Sequence, residues 1–334
     1  MSIHAEGNSL NSLCEFIITP HNNICNEFNN NCILIENIIY YNGINKNMEV
    51  AMEDIKIYAF SDEASEKIDE QIQALKDNNL NGMEIRGVDG TNIADISLNK
   101  AKEVKKKLDD NGLSVWSIGS PIGKIDIDDQ FEPHLDKFKK VLEISDILGA
   151  KNIRLFSFFM PDNTDVKIYK NKVLERLNSF CEVNKGTNIT LCHENEKGIY
   201  GDDIEKCLEI FSALPEIKAV FDPANFVQCQ INPISAWESI KEYVHYVHIK
   251  DALYDGNVVP AGKGDGCIEY IAKDYINRGG KHFTMEPHLM EFAGLAALEK
   301  DGKTSEIGQK YTFSNNREAF DFACKEFNSI LKGF

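Results

Sequence analysis

The chain has 334 residues, 43% of them hydrophobic, and a formal net charge of -17. That is enough apolar material for a large core, while acidity on this scale disfavours phosphate backbones and anionic lipid surfaces as partners. No apolar run reaches the roughly 18 residues of a bilayer span, and no Lys or Arg precedes Lys46, so the basic start of a secretory signal is missing.

Residues 1–52 are rich in asparagine (Asn22, Asn23, Asn26, Asn29, Asn30, Asn31) and hold two short apolar patches, Phe16–Ile18 and Cys32–Ile35, with no sustained period. They are expected to form a disordered or loosely packed leader ahead of a catalytic domain at 53–334. Met48 and Met52 stand just before the regular pattern and are candidate true starts. The nine cysteines are odd in number and form no C-x-x-C pair. They read as free thiols of a cytoplasmic protein.

From Ile55 onward, short β-branched or aromatic runs alternate with longer helical patterns. The runs are IKIYAF from Ile55, GMEIRGV from Gly82, LSVWSIG from Leu113, KNIRLFSFF from Lys151, NITLCHEN from Asn188, IKAVFDPAN from Ile217, VHYVHIKD from Val244 and KHFTMEP from Lys281. Between them lie amphipathic stretches such as EKIDEQIQALKDNN, NKAKEVKKKLDDNG and LDKFKKVLEISDILG, several of which stop at Asn-Gly or Gly. Strand and crossover helix repeated eight times predict a (β/α)8 TIM barrel, an α/β fold of about 250 residues. An open doubly wound sheet would usually show a Gly-rich phosphate loop after its first strand. Here the first run leads into Ser61-Asp62-Glu63, which lacks glycine.

In such a barrel the chemistry sits at the C-terminal ends of the strands. The fifth run ends in His193-Glu194-Asn195-Glu196, the sixth in Asp222-Pro223-Ala224-Asn225, the seventh in His248-Ile249-Lys250-Asp251 and the eighth in Glu286-Pro287-His288. Four successive strands thus deliver Glu194, Asp222, His248 and Glu286 at one height. Three carboxylates so crowded would raise one another's pKa unless a cation sat among them. The donor set suits one divalent metal, with Mn²⁺ favoured over Co²⁺, Mg²⁺ or Zn²⁺.

Several segments carry a family resemblance: HEN at His193–Asn195, DPANF at Asp222–Phe226, VHIKD at Val247–Asp251, GKGDG at Gly262–Gly266 and MEPHL at Met285–Leu289. SPIGKI at Ser120–Ile125 and IRLFSF at Ile153–Phe158 are similar to third- and fourth-strand signatures of the same group. From about Ile57 onward the chain resembles the xylose isomerase-like TIM-barrel superfamily, within its sugar phosphate isomerase/epimerase branch. The resemblance implies a metal-dependent isomerase or epimerase of a small carbohydrate that works through an enediolate. Glu194 and Glu286 would move the proton, while Asp222 and His248 hold the metal.

The ketose 3-epimerases of that branch place a His three residues after the sixth-strand Asp and an Arg six residues after the seventh-strand His. This chain has Asn225 and Tyr254 there. Candidate substrate contacts are Glu84, Arg86, Lys124, Arg154, His193, Asn225 and Lys263. Arg86 and Arg154 read equally well as buried ion pairs, strand alternation turns His193 away from Glu194, and GKGDG reads as a flexible loop over the pocket. An inosose dehydratase-like lyase is the alternative. The abasic-site endonucleases of the superfamily need additional histidines that this chain lacks. No nucleic-acid or membrane partner is expected; a homo-oligomer is left open.

Overall fold

The computed structural model describes residues 54–162, 164–292 and 311–334. The expected leader at 1–52 lies outside the described residues. Each of the eight runs contributes one strand: β1 (Lys56–Ala59), β2 (Gly82–Ile85), β3 (Ser114–Gly119), β4 (Asn152–Leu155), β5 (Thr190–Glu194), β6 (Lys218–Phe221), β7 (Val244–Ile249) and β8 (His282–Met285). Each strand pairs in parallel with its sequence neighbours, and β1 pairs with β8, which closes the barrel.

The helical stretches become α1 (Ile68–Asp77), α2 (Leu98–Asp110), α3 (Glu132–Leu148), α4 (Lys170–Asn184), α5 (Ile204–Ala213), α6 (Pro223–Gln228), α7 (Pro233–Ile240), α8 (Ile268–Asn277) and α9 (Asn316–Leu331). Their ends follow local chemistry. Ser97 caps α2 by accepting from the Lys100 N–H at 3.1 Å, and Asp203 caps α5 by accepting from the Lys206 N–H at 2.8 Å. Gly149 closes α3 in the left-handed conformation at φ 70°. Among the described residues no helix is long and apolar enough to cross a membrane, and the six cysteines are free thiols.

Strand alternation sorts side chains into two compartments. Outward-facing Ala59, Met83, Ile153, Leu191, Phe221, Val247 and Met285 join the helices in the main apolar core. Inside the barrel, Cys192, Val220 and Tyr246 form a separate apolar layer against Trp116. Polar and charged residues lie above that layer.

The fourth run extends further in sequence than β4 does. After Leu155 the chain leaves the ladder, and Phe158 adopts a left-handed φ of 70°. The N–H groups of Phe156 and Phe158 donate instead to the carbonyls of Ile122 and Gly123. Gly123, at φ 90°, passes so close to the Phe156 carbonyl that any Cβ would overlap it. That contact ties the SPIGKI loop to the mouth of the barrel.

Candidate active site and metal centre

The period-two alternation that puts Val247 and Ile249 outside puts Tyr246, His248 and Lys250 inside. Glu194, Asp222 and Glu286 follow the same logic on or just beyond their strands. All four predicted ligands are buried, and one ligand atom from each lies within 4.8 Å of the others.

His248 is the hub. Its Nδ1 lies 3.0 Å from Glu194 Oε1 and 2.9 Å from Glu286 Oε2, and its Nε2 lies 3.0 Å from Glu84 Oε2. Tyr246 donates its hydroxyl to the other Glu84 oxygen at 2.8 Å and touches Ser117 Oγ at 3.1 Å. Glu84 therefore holds the far side of the imidazole, the role an outer carboxylate plays for a metal-binding histidine. Each oxygen of Glu84, expected as a substrate contact, thus already has a partner within the barrel.

Asp222 caps α6 through Oδ1, which accepts from the Asn225 N–H at 3.0 Å. Asn195 braces it from both sides, accepting from the Asp222 N–H and donating to its carbonyl. That leaves Oδ2 turned inward. Lys250 Nζ stands 2.7 Å from Oδ2 and 3.6 Å from Glu286 Oε2. Asp222 Oδ2 and Glu286 Oε2 nevertheless have no hydrogen-bond partner, since their close neighbours lie off the bonding direction.

Two arginines steady the glutamates. Arg154 donates to Glu194 Oε2 at 2.8 Å, and Arg86 donates to Glu286 Oε1 at 3.2 Å. Arg86 also makes a two-pronged pair with Asp62 at 2.9 and 3.0 Å, reaches Glu63 at 3.2 Å, and lies 4.4 Å from the ring centres of both Phe60 and Phe292. Of the two roles open to these arginines, the structure shows the buried ion pair for each.

The remaining expected substrate contacts scatter. Asn225 Nδ2 reaches Glu194 Oε1 at 3.4 Å and the Asn195 carbonyl at 2.8 Å, at the edge of the cluster. Lys124 lies at the mouth, 3.0 Å from Glu196 Oε2 and 4.3 Å from the Phe156 ring centre. His193 points away from the cluster, with Nε2 2.9 Å from Ser157 Oγ. Lys263 is 46% exposed and pairs with Glu326 of α9 at 3.1 Å. Its loop is tethered, against the expectation of a flexible one. The N–H groups of Gly262, Gly264 and Gly266 converge on the Asp251 carboxylate at 2.9–3.0 Å, a backbone concavity filled by the chain's own anion.

The titrations reflect crowding. Burial works against a charged His248, but Glu194, Glu84 and Glu286 outweigh it and hold the imidazole well above its ordinary pKa. Burial pushes Asp222 upward despite Lys250. Glu194 is drawn down, its burial overcome by His248 and Arg154. Glu286 is drawn down by Lys250 and His248 in the same way. Seven carboxyl groups (Asp62, Glu63, Glu84, Glu194, Glu196, Asp222, Glu286) share this mouth with five cationic side chains (Arg86, Lys124, Arg154, Lys250 and His248), and burial raises two of the seven, Glu63 to about 8 and Asp222 to about 7. A divalent cation fits that carboxylate-rich mouth, and it would replace the Lys250 and His248 contacts of the two inward carboxylate oxygens that make no hydrogen bond.

Sequence reasoning missed Lys250, Tyr246, Asp62 and Glu63 as parts of the site. Period two from His248 would have found Tyr246 and Lys250. Nothing in the local pattern of Ser61–Glu63, a single 3-10 turn, foretells its pairing with β2.

A family model described as xylose isomerase-like TIM barrel matches residues 72–274, more than half of the chain. The protein belongs to this family. The match takes in Glu194, Asp222 and His248 and ends before Glu286. Among solved structures, an L-ribulose 3-epimerase is similar with a TM-score of 0.65 at 16% identity, covering 84% of this chain and 94% of that one. The probable 3-DHS dehydratase AsbF of petrobactin synthesis from Bacillus anthracis gives 0.62 at 15%, covering 82% and 98%. The IOLI protein with a binding zinc atom gives 0.63 at 13%, covering 84% and 99%. At such identities the likeness is one of fold. No curated protein matches the chain by sequence.

Proposed function

We propose that this xylose isomerase-like barrel is a metal-dependent isomerase or epimerase of a small carbohydrate, free, oxidised or phosphorylated. The observation that carries the reading is the convergence of Glu194, Asp222, His248 and Glu286, all buried, on a space within 4.8 Å. The similarity to an L-ribulose 3-epimerase and to a zinc-bound IOLI protein supports it.

Glu194, Asp222, His248 and Glu286 would hold a divalent ion, Mn²⁺ by first choice, which would supply a Lewis acid for a hydroxy-ketone. Glu194 and Glu286 flank His248 Nδ1 from two sides, at 3.0 and 2.9 Å. Each is fixed through its second oxygen by an arginine, which presents a pre-oriented carboxylate to a substrate lying between them. One takes the proton from the carbon beside the carbonyl. The other returns it, on the opposite face for epimerisation or at the neighbouring carbon for isomerisation. Asp222 and His248, capped and braced by Asn225, Asn195 and Glu84, keep the geometry rigid.

A second reading, a dehydratase-like lyase, is favoured by Lys250. A buried ammonium beside Asp222 and Glu286 is placed to protonate a departing hydroxyl. A panel of ketoses, keto-sugars and sugar phosphates, incubated in D₂O with Mn²⁺, Co²⁺ or Mg²⁺, tests both. Metal-dependent deuterium at a carbon beside a carbonyl, in substrate or product of unchanged formula, supports the isomerase. Loss of water supports the lyase. Absence of exchange and of turnover across the panel, with metal bound, removes both.

A further inference from the structure

The Arg86 guanidinium sits inside a second metal-capable group, formed by Glu63, Glu286 and His288. His288 Nε2 lies 3.4 Å from Glu63 Oε1 and 3.3 Å from Glu286 Oε1. Donors bonded to one ion at about 2.1 Å stand roughly 3.0–3.4 Å apart, and both His288 spacings fall in that range. The guanidinium meets the same three atoms, at 3.2 Å from Glu63 Oε1, 3.2 Å from Glu286 Oε1 and 3.4 Å from His288 Nε2.

Glu286 divides its carboxylate between the two groups. Oε1 faces Arg86 and His288, while Oε2, buried and without a hydrogen bond, faces the quartet. A carboxylate split in this way has one oxygen to offer to each of the two groups. We propose that Arg86 is a fixed internal cation standing where a second divalent ion would bind, and that it keeps the centre to one metal. The inference rests on the quartet holding a metal. An arginine suits the task because its charge is permanent and its fork pairs with several carboxylates at once. It also lies over the rings of Phe60 and Phe292, 4.4 Å from each centroid.

Mn²⁺ titration of chelator-stripped full-length protein tests this, read by bound-metal stoichiometry and electron spin resonance. Wild type should bind one ion per chain and give the spectrum of an isolated Mn²⁺. Arg86→Met, which keeps apolar bulk beside the two rings, and Arg86→Ala should each bind two, with the spectrum of a spin-coupled pair. Adding Glu63→Gln to either should restore one. Two coupled ions in wild type would overturn the inference, as would a folded Arg86→Met that binds one. If the variants unfold when stripped, circular dichroism with added Mn²⁺ decides. Recovery of the fold supports the proposal, and failure to recover counts against it, because the second ion should take over the charge of the guanidinium. Wild type that binds no metal sinks the quartet reading instead.

Discussion

The two mouths of the barrel are built from the same eight strands and solve opposite problems. At the C-terminal mouth, Arg86, Arg154 and Lys250 are buried against Glu63, Glu194, Asp222 and Glu286, with His248 held well above its ordinary pKa in their midst. At the N-terminal mouth the barrel is plugged by neutral rings. Trp116 stacks on His282 with centroids 3.8 Å apart and planes within 8°, while Tyr58 lies 5.4 Å and His245 5.6 Å from Trp116. Burial lowers the pKa of both histidines, His282 to about 4, so both are neutral at pH 7. Buried charge is costly unless it is paired, and an apolar plug would fill the space more cheaply. Concentrating the charge at one mouth only is what a barrel that keeps its chemistry at that end requires.

The division can be broken at either end. At the charged mouth, Glu286→Gln or Glu194→Gln removes a base and keeps the volume. Each should lower kcat on the order of 10²–10⁴ with metal still bound. If both variants keep near-normal turnover with metal in place, the charged mouth is not where protons move. At the plugged mouth the opposite holds. Trp116→Ala should cost about 3 kcal/mol of stability by urea unfolding and leave kcat and metal content near wild type. A selective loss of activity there, with stability intact, would mean the two ends are not separate.

Much of the fold could be read from the chain because its signals are local. Alternation places one strand, a Gly or Asn-Gly stop ends one helix, and eight repeats leave few topologies. The positions of Glu194, Asp222, His248 and Glu286 were legible for the same reason: each ends a recognisable run, and the structure gathers them within 4.8 Å. What was illegible is what depends on the ring closing. Arg86, one residue beyond β2, meets Glu286, 200 positions later, only because β1 and β8 pair. Glu84 meets Tyr246 across the barrel interior, 162 positions apart. The tethered GKGDG loop was misread because three glycines suggest freedom, whereas their N–H groups all serve Asp251.

The mouths should also carry opposite pH signatures in the metal-free protein. His248 has a raised pKa in the fold. Its stabilising contribution is complete below the unfolded value of about 6.5 and is lost as pH rises through its folded value. His282 is depressed to about 4. The unfolded chain takes up that proton first, so stability is complete above about pH 6.5 and declines as pH falls toward 4. His282→Gln should flatten the acid side of the stability profile and leave the alkaline side unchanged. An acid slope identical to wild type would place its origin elsewhere.

The smallest expected effect belongs to the layer between the mouths, and it asks whether the two ends are coupled at all. Ser117, Tyr246, Glu84 and His248 form a chain of contacts at 3.1, 2.8 and 3.0 Å, from the apolar layer up to the Glu194–Asp222–His248–Glu286 quartet. Tyr246→Phe keeps the ring that packs on Trp116 and removes one donor to a buried carboxylate. Losing an outer hydrogen bond to a ligand's support typically costs 10–100-fold in metal affinity when the supporting carboxylate itself is lost. Tyr246 stands one step further out, so Tyr246→Phe should weaken Mn²⁺ binding by less than about tenfold, against about 10–100-fold for Glu84→Gln. Metal titration of the two variants side by side measures the ratio. Equal losses would mean that Glu84 acts through Tyr246 and that the middle layer belongs to the functional mouth. A loss for Glu84→Gln alone would draw the boundary between chemistry and scaffold at Glu84.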